Sequence, residues 1–147
     1  MLAIAHAFET FGRMAPCELC LKERTVWWAA LFIGMAGGLL THRFARARSV
    51  ACLALAAVLL GGALLAGYHA GAEWRFWPGP QSCSGGAGAH VTAADMLRFM
   101  RGASNPIVRC DQPAWVFLRL SMAGWNAIIS FAAAVASALA ARPGASR

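Results

Sequence analysis

The stretch Cys17-Glu-Leu-Cys20 places two thiols three residues apart, directly after Pro16. On a helical turn residues at that spacing face the same way, about 5–6 Å apart, within the Cα range that a disulfide accepts. A helix N-terminus and nearby cations favour thiolate over thiol. Lys22 and Arg24 supply the charge, and the apolar run that begins at Thr25 supplies the helix. A C-x-x-C pair also occurs in haem and zinc sites. Haem c attachment needs C-x-x-C-H, and position 21 is Leu. Two further thiols, Cys83 and Cys110, are separated by 26 residues. Four cysteines could ligate zinc, although zinc ribbons present two C-x-x-C pairs and the second pair here is widely split. Cys83 and Cys110 could instead form a disulfide that only staples a loop. Two pairs could equally form a redox relay, because thiol–disulfide exchange proceeds by thiolate attack through a mixed disulfide.

The elements that must position these thiols are apolar helices. Of 147 residues, 59% are apolar and 13% charged, against roughly 45–50% and about 25% in an ordinary soluble domain. That composition excludes a disordered chain and speaks against a water-soluble globule. Residues 25–41, 49–72 and 120–141 contain no Asp, Glu, Lys or Arg and run 17, 24 and 22 residues. About 20 apolar residues are needed to cross roughly 30 Å of hydrocarbon. The chain therefore reads as an all-α integral membrane protein, a single membrane domain over 1–147. Its helices are expected at about 1–15, 25–41, 49–72 and 119–141. The first is short or truncated, since Met1–Phe8 is too brief to span and has no basic segment before it, as a signal peptide would.

The net charge of +7 carries orientation rather than nucleic-acid affinity. Arg43, Arg46 and Arg48 crowd one short segment with no acid, and Arg142 and Arg147 follow the last apolar run. The 73–111 segment mixes Arg75, Arg98, Arg101 and Arg109 with Glu73, Asp95 and Asp111. Short loops rich in Lys and Arg stay cytoplasmic. The segment before residue 25 and the loop of about 73–118 then lie outside, with Cys17, Cys20, Cys83 and Cys110 on them. Outside a bacterial inner membrane is the periplasm, an oxidising compartment where disulfides persist. Cys52 lies on the inner side and reads as an inert buried thiol. This sidedness favours redox chemistry over a metal site or a staple.

Three stretches resemble the disulfide bond formation protein B family. Pro16-Cys-Glu-Leu-Cys-Leu-Lys-Glu-Arg24 is similar to its first outer loop. Glu73-Trp-Arg-Phe-Trp-Pro-Gly-Pro-Gln-Ser-Cys83 is similar to its second, as is the stretch from Cys110-Asp-Gln-Pro to Gly124-Trp-Asn126 that leads into the last helix. The resemblance implies a four-helix bundle that reoxidises a periplasmic thioredoxin-fold dithiol carrier of the DsbA type and passes the electrons to a membrane quinone, ubiquinone or menaquinone. It implies that the carrier's thiolate attacks Cys83, that Cys110 is the partner of Cys83, and that Cys110 then exchanges with Cys17. It leaves Cys20 as the thiolate facing the quinone, with Arg24 beside both. The energetics agree. A carrier near about −120 mV lies about 60 mV above protein disulfide isomerase, roughly 2.8 kcal/mol for two electrons, so a stronger acceptor than glutathione is required. A lipid-soluble quinone meets that need.

The remaining polar and aromatic residues have plainer readings. His69, near the outer end of its apolar run, could hydrogen-bond a quinone or pack at the interface. Trp27, Trp28, Trp74, Trp77 and Trp115 suit the membrane interface, and one or two could wall a quinone pocket. Trp125 is expected to pack more deeply. Glu73 and Asp111 read as loop or cap groups. Gly34 and Gly38, and Gly67 and Gly71, are spaced for close helix packing in lipid. Thr92-Ala-Ala-Asp95 resembles a capping box opening a short amphipathic helix through about Arg101.

Overall fold

The computed structural model describes residues 2–11, 16–41, 44–80, 97, 100–102, 110, 113 and 115–142. Four helices and a small hairpin make up the described elements. They are α1 (Leu2–Thr10), α2 (Glu18–Thr41), α3 (Ala45–Glu73), β1 (Val116–Phe117), β2 (Leu120–Ser121) and α4 (Met122–Ala140). The helices α3 and α4 carry stretches long and apolar enough to cross a membrane, Ala47–Glu73 and Met122–Ala140. The apolar part of α2 is the 17-residue run 25–41, and its first turns carry Glu18, Lys22, Glu23 and Arg24.

The helix α3 packs against both α2 and α4. Both neighbours run antiparallel to it. Gly37 of α2 lies against Ala51 while Glu23 meets His69, and Arg48 of α3 reaches the Ala140 carbonyl at the far end of α4. Small residues dominate the interior: Ala63, Ala66, Ala70 and Ala123 are buried, and Ala30 and Ala134 cluster around Leu59. Large apolar side chains point outward instead, with Phe32, Met35, Leu39, Leu64 and Phe131 all more than half exposed. Small inside and large outside is the arrangement expected where lipid is the solvent, since close backbone approach then drives association. The short helix α1 is tied to α2 by Arg24, which donates to the Glu9 carboxylate and, at 3.2 Å, to the Ala5 carbonyl.

The structure corrects the sequence reading in three places. The last helix begins at Met122, because 116–121 form an antiparallel hairpin pairing Val116 with Ser121 and Phe117 with Leu120. Its turn puts Leu118 and Arg119 at φ 51° and 64°, a left-handed pair that Asn-Gly or Asp-Gly would normally signal. Ser121 then caps α4, accepting from the Gly124 N–H at 3.1 Å. Second, α2 starts seven residues earlier than the apolar run, and so takes Cys20, Glu23 and Arg24 into the helix. Third, of the expected packing glycines, a Cβ at Gly34, Gly38 or Gly67 would meet nothing within 4 Å. Gly71 abuts the Trp77 ring rather than a helix. The close helix contacts fall at Gly37 and Gly62, where a Cβ would sit 2.5 Å from Ala51 Cβ and 2.7 Å from Val26 Cγ1. A four-residue spacing identifies one face of a helix; the phase of neighbouring side chains decides which face is inward. Of the expected loop helix, Leu97 and Met100 are helical and the Arg101 N–H donates to the Leu97 carbonyl; Thr92–Met96 and Phe99 lie outside the described residues.

Candidate functional site

The site forms where the start of α2, the end of α3 and the start of α4 meet. Cys17 stands immediately before α2, and its carbonyl accepts the Leu21 N–H at 3.1 Å, so the first helical turn begins on the cysteine itself. That turn aims the Cys20 backbone N–H at Cys17 Sγ, 3.1 Å away. Cys17 and Cys20 are both unpaired thiols here, Cys17 buried and Cys20 half-buried. The Cys20 thiol and that N–H both hydrogen-bond the Cys17 sulfur, which holds Cys17 below the ordinary thiol range even though burial works the other way. Two thiolates side by side would repel, so the reduced pair favours a single negative charge.

Glu23, Asn126 and Ser130, to which the sequence reading gave no part in the chemistry, complete the setting around His69. His69 Nε2 lies 3.6 Å from Cys17 Sγ, and its Nδ1 lies 2.7 Å from Glu23 Oε1. The other Glu23 oxygen accepts from Asn126 Nδ2 at 2.6 Å, and Asn126 Oδ1 accepts the Trp27 indole N–H at 2.8 Å. Ser130 Oγ approaches the same oxygen at 3.5 Å. All of Glu23, His69, Asn126 and Ser130 are buried. Nδ1–H donated to Glu23 leaves Nε2 as the acceptor that faces the Cys17 thiol. The chain of contacts therefore runs from sulfur to imidazole to carboxylate to amide to indole, across all three core helices.

Glu73 belongs to the same end. The sequence suggested a loop or cap group, but its side chain is only 6% exposed and its Oε1 lies 4.0 Å from His69 Nε2. Its Oε2 is buried and, among the described residues, has no hydrogen-bond partner. Trp27, expected as an interface anchor, is bound into the network, whereas Trp28 is exposed and tilted against Phe32. Trp77 stacks on Tyr68 with ring centroids 5.7 Å apart. Trp125 is half-buried, and its indole N–H donates to the Phe117 carbonyl, fastening the hairpin to α4.

Of the sequence-derived site residues, the structure brings together Cys17, Cys20, His69 and Cys110. Cys110 is 1% exposed and shares a buried cluster with Cys17 and Leu19, against which Cys20 and Leu65 pack. Its sulfur is held in a disulfide. Cys83 lies outside the described residues. Arg24 is four residues beyond Cys20 on α2, 15% exposed, and engaged by α1. Both ring nitrogens of His69 are occupied inside the site, so a contact from His69 to a quinone would have to replace Cys17. The signal that could have found Asn126 and Glu23 is polarity at membrane depth. A hydrogen-bonding residue in or beside an apolar span is a functional candidate by default.

A chain of apolar helices that buries a C-x-x-C dithiol against a second, disulfide-bonded cysteine defines a class: membrane proteins of thiol–disulfide exchange. The model of the family described as disulfide bond formation protein DsbB matches residues 1–140, and the chain belongs to that family. It is similar to a disulfide bond formation protein B of Methylococcus capsulatus (strain ATCC 33009 / NCIMB 11132 / Bath). The two are 29% identical over 131 residues, covering 85% of this chain and 76% of the relative. No solved structure matches the chain significantly. Membership makes this a membrane protein of disulfide bond formation and a disulfide oxidoreductase.

Proposed function

We propose that this chain is a quinone-dependent thiol oxidase of the bacterial inner membrane, a four-helix bundle with its working cysteines on the periplasmic side. It reoxidises a DsbA-like thioredoxin-fold carrier through two cysteine pairs. The observation that carries the reading is the burial of Cys110, already in a disulfide, in one cluster with Cys17 of the C-x-x-C pair. A relay needs its two redox pairs within reach of one another, and a staple does not.

In this reading a carrier thiolate attacks Cys83 and releases Cys110 as the leaving thiolate. Cys110 attacks Cys17 in the Cys17–Cys20 disulfide and displaces Cys20. The second carrier thiol closes the carrier's own disulfide and frees Cys83. Cys83 then takes Cys110 back, leaving Cys17 and Cys20 as a dithiol with two electrons and their protons. His69 accepts or returns the Cys17 proton at Nε2, and Glu23 holds the ring in the tautomer that allows it. While Cys17 is bonded to Cys110 it bears no charge, so Cys20 is released to ionise toward Arg24. The lowered Cys17 thiol of the dithiol and the quinone-facing Cys20 thiolate thus belong to different stages of the cycle.

A quinone, when bound, supplies the acceptor for those two electrons. The donor set fits it: Arg24 is a largely buried guanidinium, and two contacts to α1 do not exhaust its five N–H donors. A fixed cation there stabilises negative charge on Cys20 and on the acceptor alike. The test is anaerobic mixing of the purified protein with a reduced thioredoxin-fold carrier and ubiquinone or menaquinone. Carrier oxidation stoichiometric with quinone loss is expected. Carrier that stays reduced, with both cysteine pairs initially oxidised, overturns the reading.

A further inference from the structure

We propose that the reduced Cys17–Cys20 pair forms, with His69, a zinc site that exists only in the dithiol state and arrests the protein there. The inference rests on the proposed redox cycle only in taking the pair to alternate between dithiol and disulfide. Its ligand atoms are already assembled: Cys17 Sγ, Cys20 Sγ and the near ring nitrogen of His69 all lie within 4.8 Å of one another. With Zn–S of about 2.3 Å and Zn–N of about 2.0–2.1 Å, a tetrahedral angle separates sulfur and nitrogen by about 3.6 Å. The Cys17 Sγ to His69 Nε2 distance is 3.6 Å. Bringing the Cys20 sulfur onto the same sphere takes a shift on the order of 1 Å.

The surroundings supply what a bare trio of ligands would lack. A zinc-ligating histidine almost always donates its other ring N–H to a carboxylate or carbonyl, which fixes the tautomer and raises the basicity of the ligating nitrogen. Glu23 does this at 2.7 Å, and Asn126 in turn anchors Glu23 at 2.6 Å. The fourth position has a candidate in Glu73, whose Oε1 lies 4.0 Å from His69 Nε2 and whose buried Oε2 has no hydrogen-bond partner among the described residues. Two thiolates and an imidazole select a soft or borderline cation over Mg2+ or Ca2+, which prefer oxygen ligands.

Binding moves no electrons. Each thiol that is still protonated releases its proton as its sulfur bonds to the metal, and the metal stays Zn2+. In the disulfide state neither sulfur is a thiolate, so the site disappears. Zinc thus discriminates between the two halves of the cycle. A loaded dithiol cannot be reoxidised to the disulfide that Cys110 attacks.

The experiment reads metal binding directly, apart from turnover. The full chain carrying Cys83→Ser and Cys110→Ser, in detergent and anaerobic, is titrated with Zn2+ against a chromophoric chelator, and with Co2+ as an optical probe. The reduced protein should take one equivalent of zinc and show a thiolate-to-cobalt charge-transfer band; the oxidised protein should show neither. His69→Ala should weaken zinc binding at least tenfold with helix content unchanged by circular dichroism. Equal binding by oxidised and reduced protein overturns the inference, as does unchanged affinity in a folded His69→Ala variant. Should the double-serine variant not fold, the wild type carries the same comparison, and His69→Ala separates this pair from the other. Failure of metal-free wild-type protein to oxidise a carrier would overturn the proposed function and leave a positive zinc titration standing.

Discussion

The two ends of the core are built from the same three helices, yet they bury different things. At one end the start of α2, the end of α3 and the start of α4 enclose Cys17, Glu23, His69 and Asn126, each satisfied by the next. At the other, Gly37 presses on Ala51, Arg48 caps the last turn of α4, and Cys52 stands unpaired and half-buried. The distant end shows what the fold alone requires: small residues for close approach, and a cation where a helix ends in free carbonyls. Everything polar at the first end exceeds that requirement. A buried carboxylate and imidazole cost several kcal/mol to desolvate, and only good geometry repays it. Such expense at one end of a simple scaffold points to chemistry rather than to folding.

The sharpest way to break the comparison is to remove a thiol at each end. Cys17→Ser and Cys20→Ser should each abolish carrier oxidation, while Cys52→Ser should leave it at the wild-type rate. Loss of activity with Cys52→Ser, measured with protein of equal helix content, would show that the contrast between the ends is false.

The next effect is on stability. Glu23→Ala strips His69 and Asn126 of their shared partner inside the core, and each buried donor left unsatisfied costs about 1–3 kcal/mol. Glu18 sits on the same helix, 2.7 Å from Lys22 in a pair whose side chains are about half exposed. An exposed i,i+4 pair is worth roughly 0.3–0.5 kcal/mol, so Lys22→Ala, which removes only that pair, should barely move the unfolding midpoint. Equal midpoints for the two variants in detergent denaturation would remove the energetic distinction.

Much of this was legible beforehand, and the gaps have physical causes. The apolar runs located α3 and α4, and the C-x-x-C spacing located the dithiol, because period and composition are properties of a segment. The partners of His69 were not legible. Glu23 is 46 positions away from it and Cys17 is 52, and pairing at such separation is settled by which helix faces meet. The hairpin was hidden because Leu118 and Arg119 take left-handed backbone without a glycine between them. The glycines divide the same way. Gly61 and Gly62 are adjacent and identical in sequence terms, yet a Cβ at Gly62 would lie 2.7 Å from Val26 Cγ1 and one at Gly61 would meet nothing within 4 Å. Gly62→Ala should therefore destabilise by about 1–3 kcal/mol through overpacking. Gly61→Ala should be neutral or stabilise by up to about 1 kcal/mol through helix propensity. Matching unfolding midpoints would place the packed face elsewhere.

The smallest effect tests the far end of the polar chain. Trp27 and Trp28 are neighbours on α2, one half-buried with its indole N–H on Asn126 Oδ1 at 2.8 Å, the other 44% exposed. Trp27→Phe keeps an aromatic ring and deletes the donor, so among the described residues Asn126 Oδ1 retains only the longer Ser130 contact at 3.5 Å. Leaving a buried acceptor underserved costs about 1–3 kcal/mol. Trp28→Phe deletes an N–H at a surface position, where substitutions usually stay within about 0.5 kcal/mol. The readout need not stop at stability. Asn126 holds Glu23, and Glu23 fixes the His69 tautomer, so Trp27→Phe should also slow the exchange step that needs His69 as a base, and Trp28→Phe should not. If Trp27→Phe lowered the midpoint but left the pH dependence and rate of carrier oxidation untouched, the indole would support packing alone, and the polar chain would end functionally at Glu23.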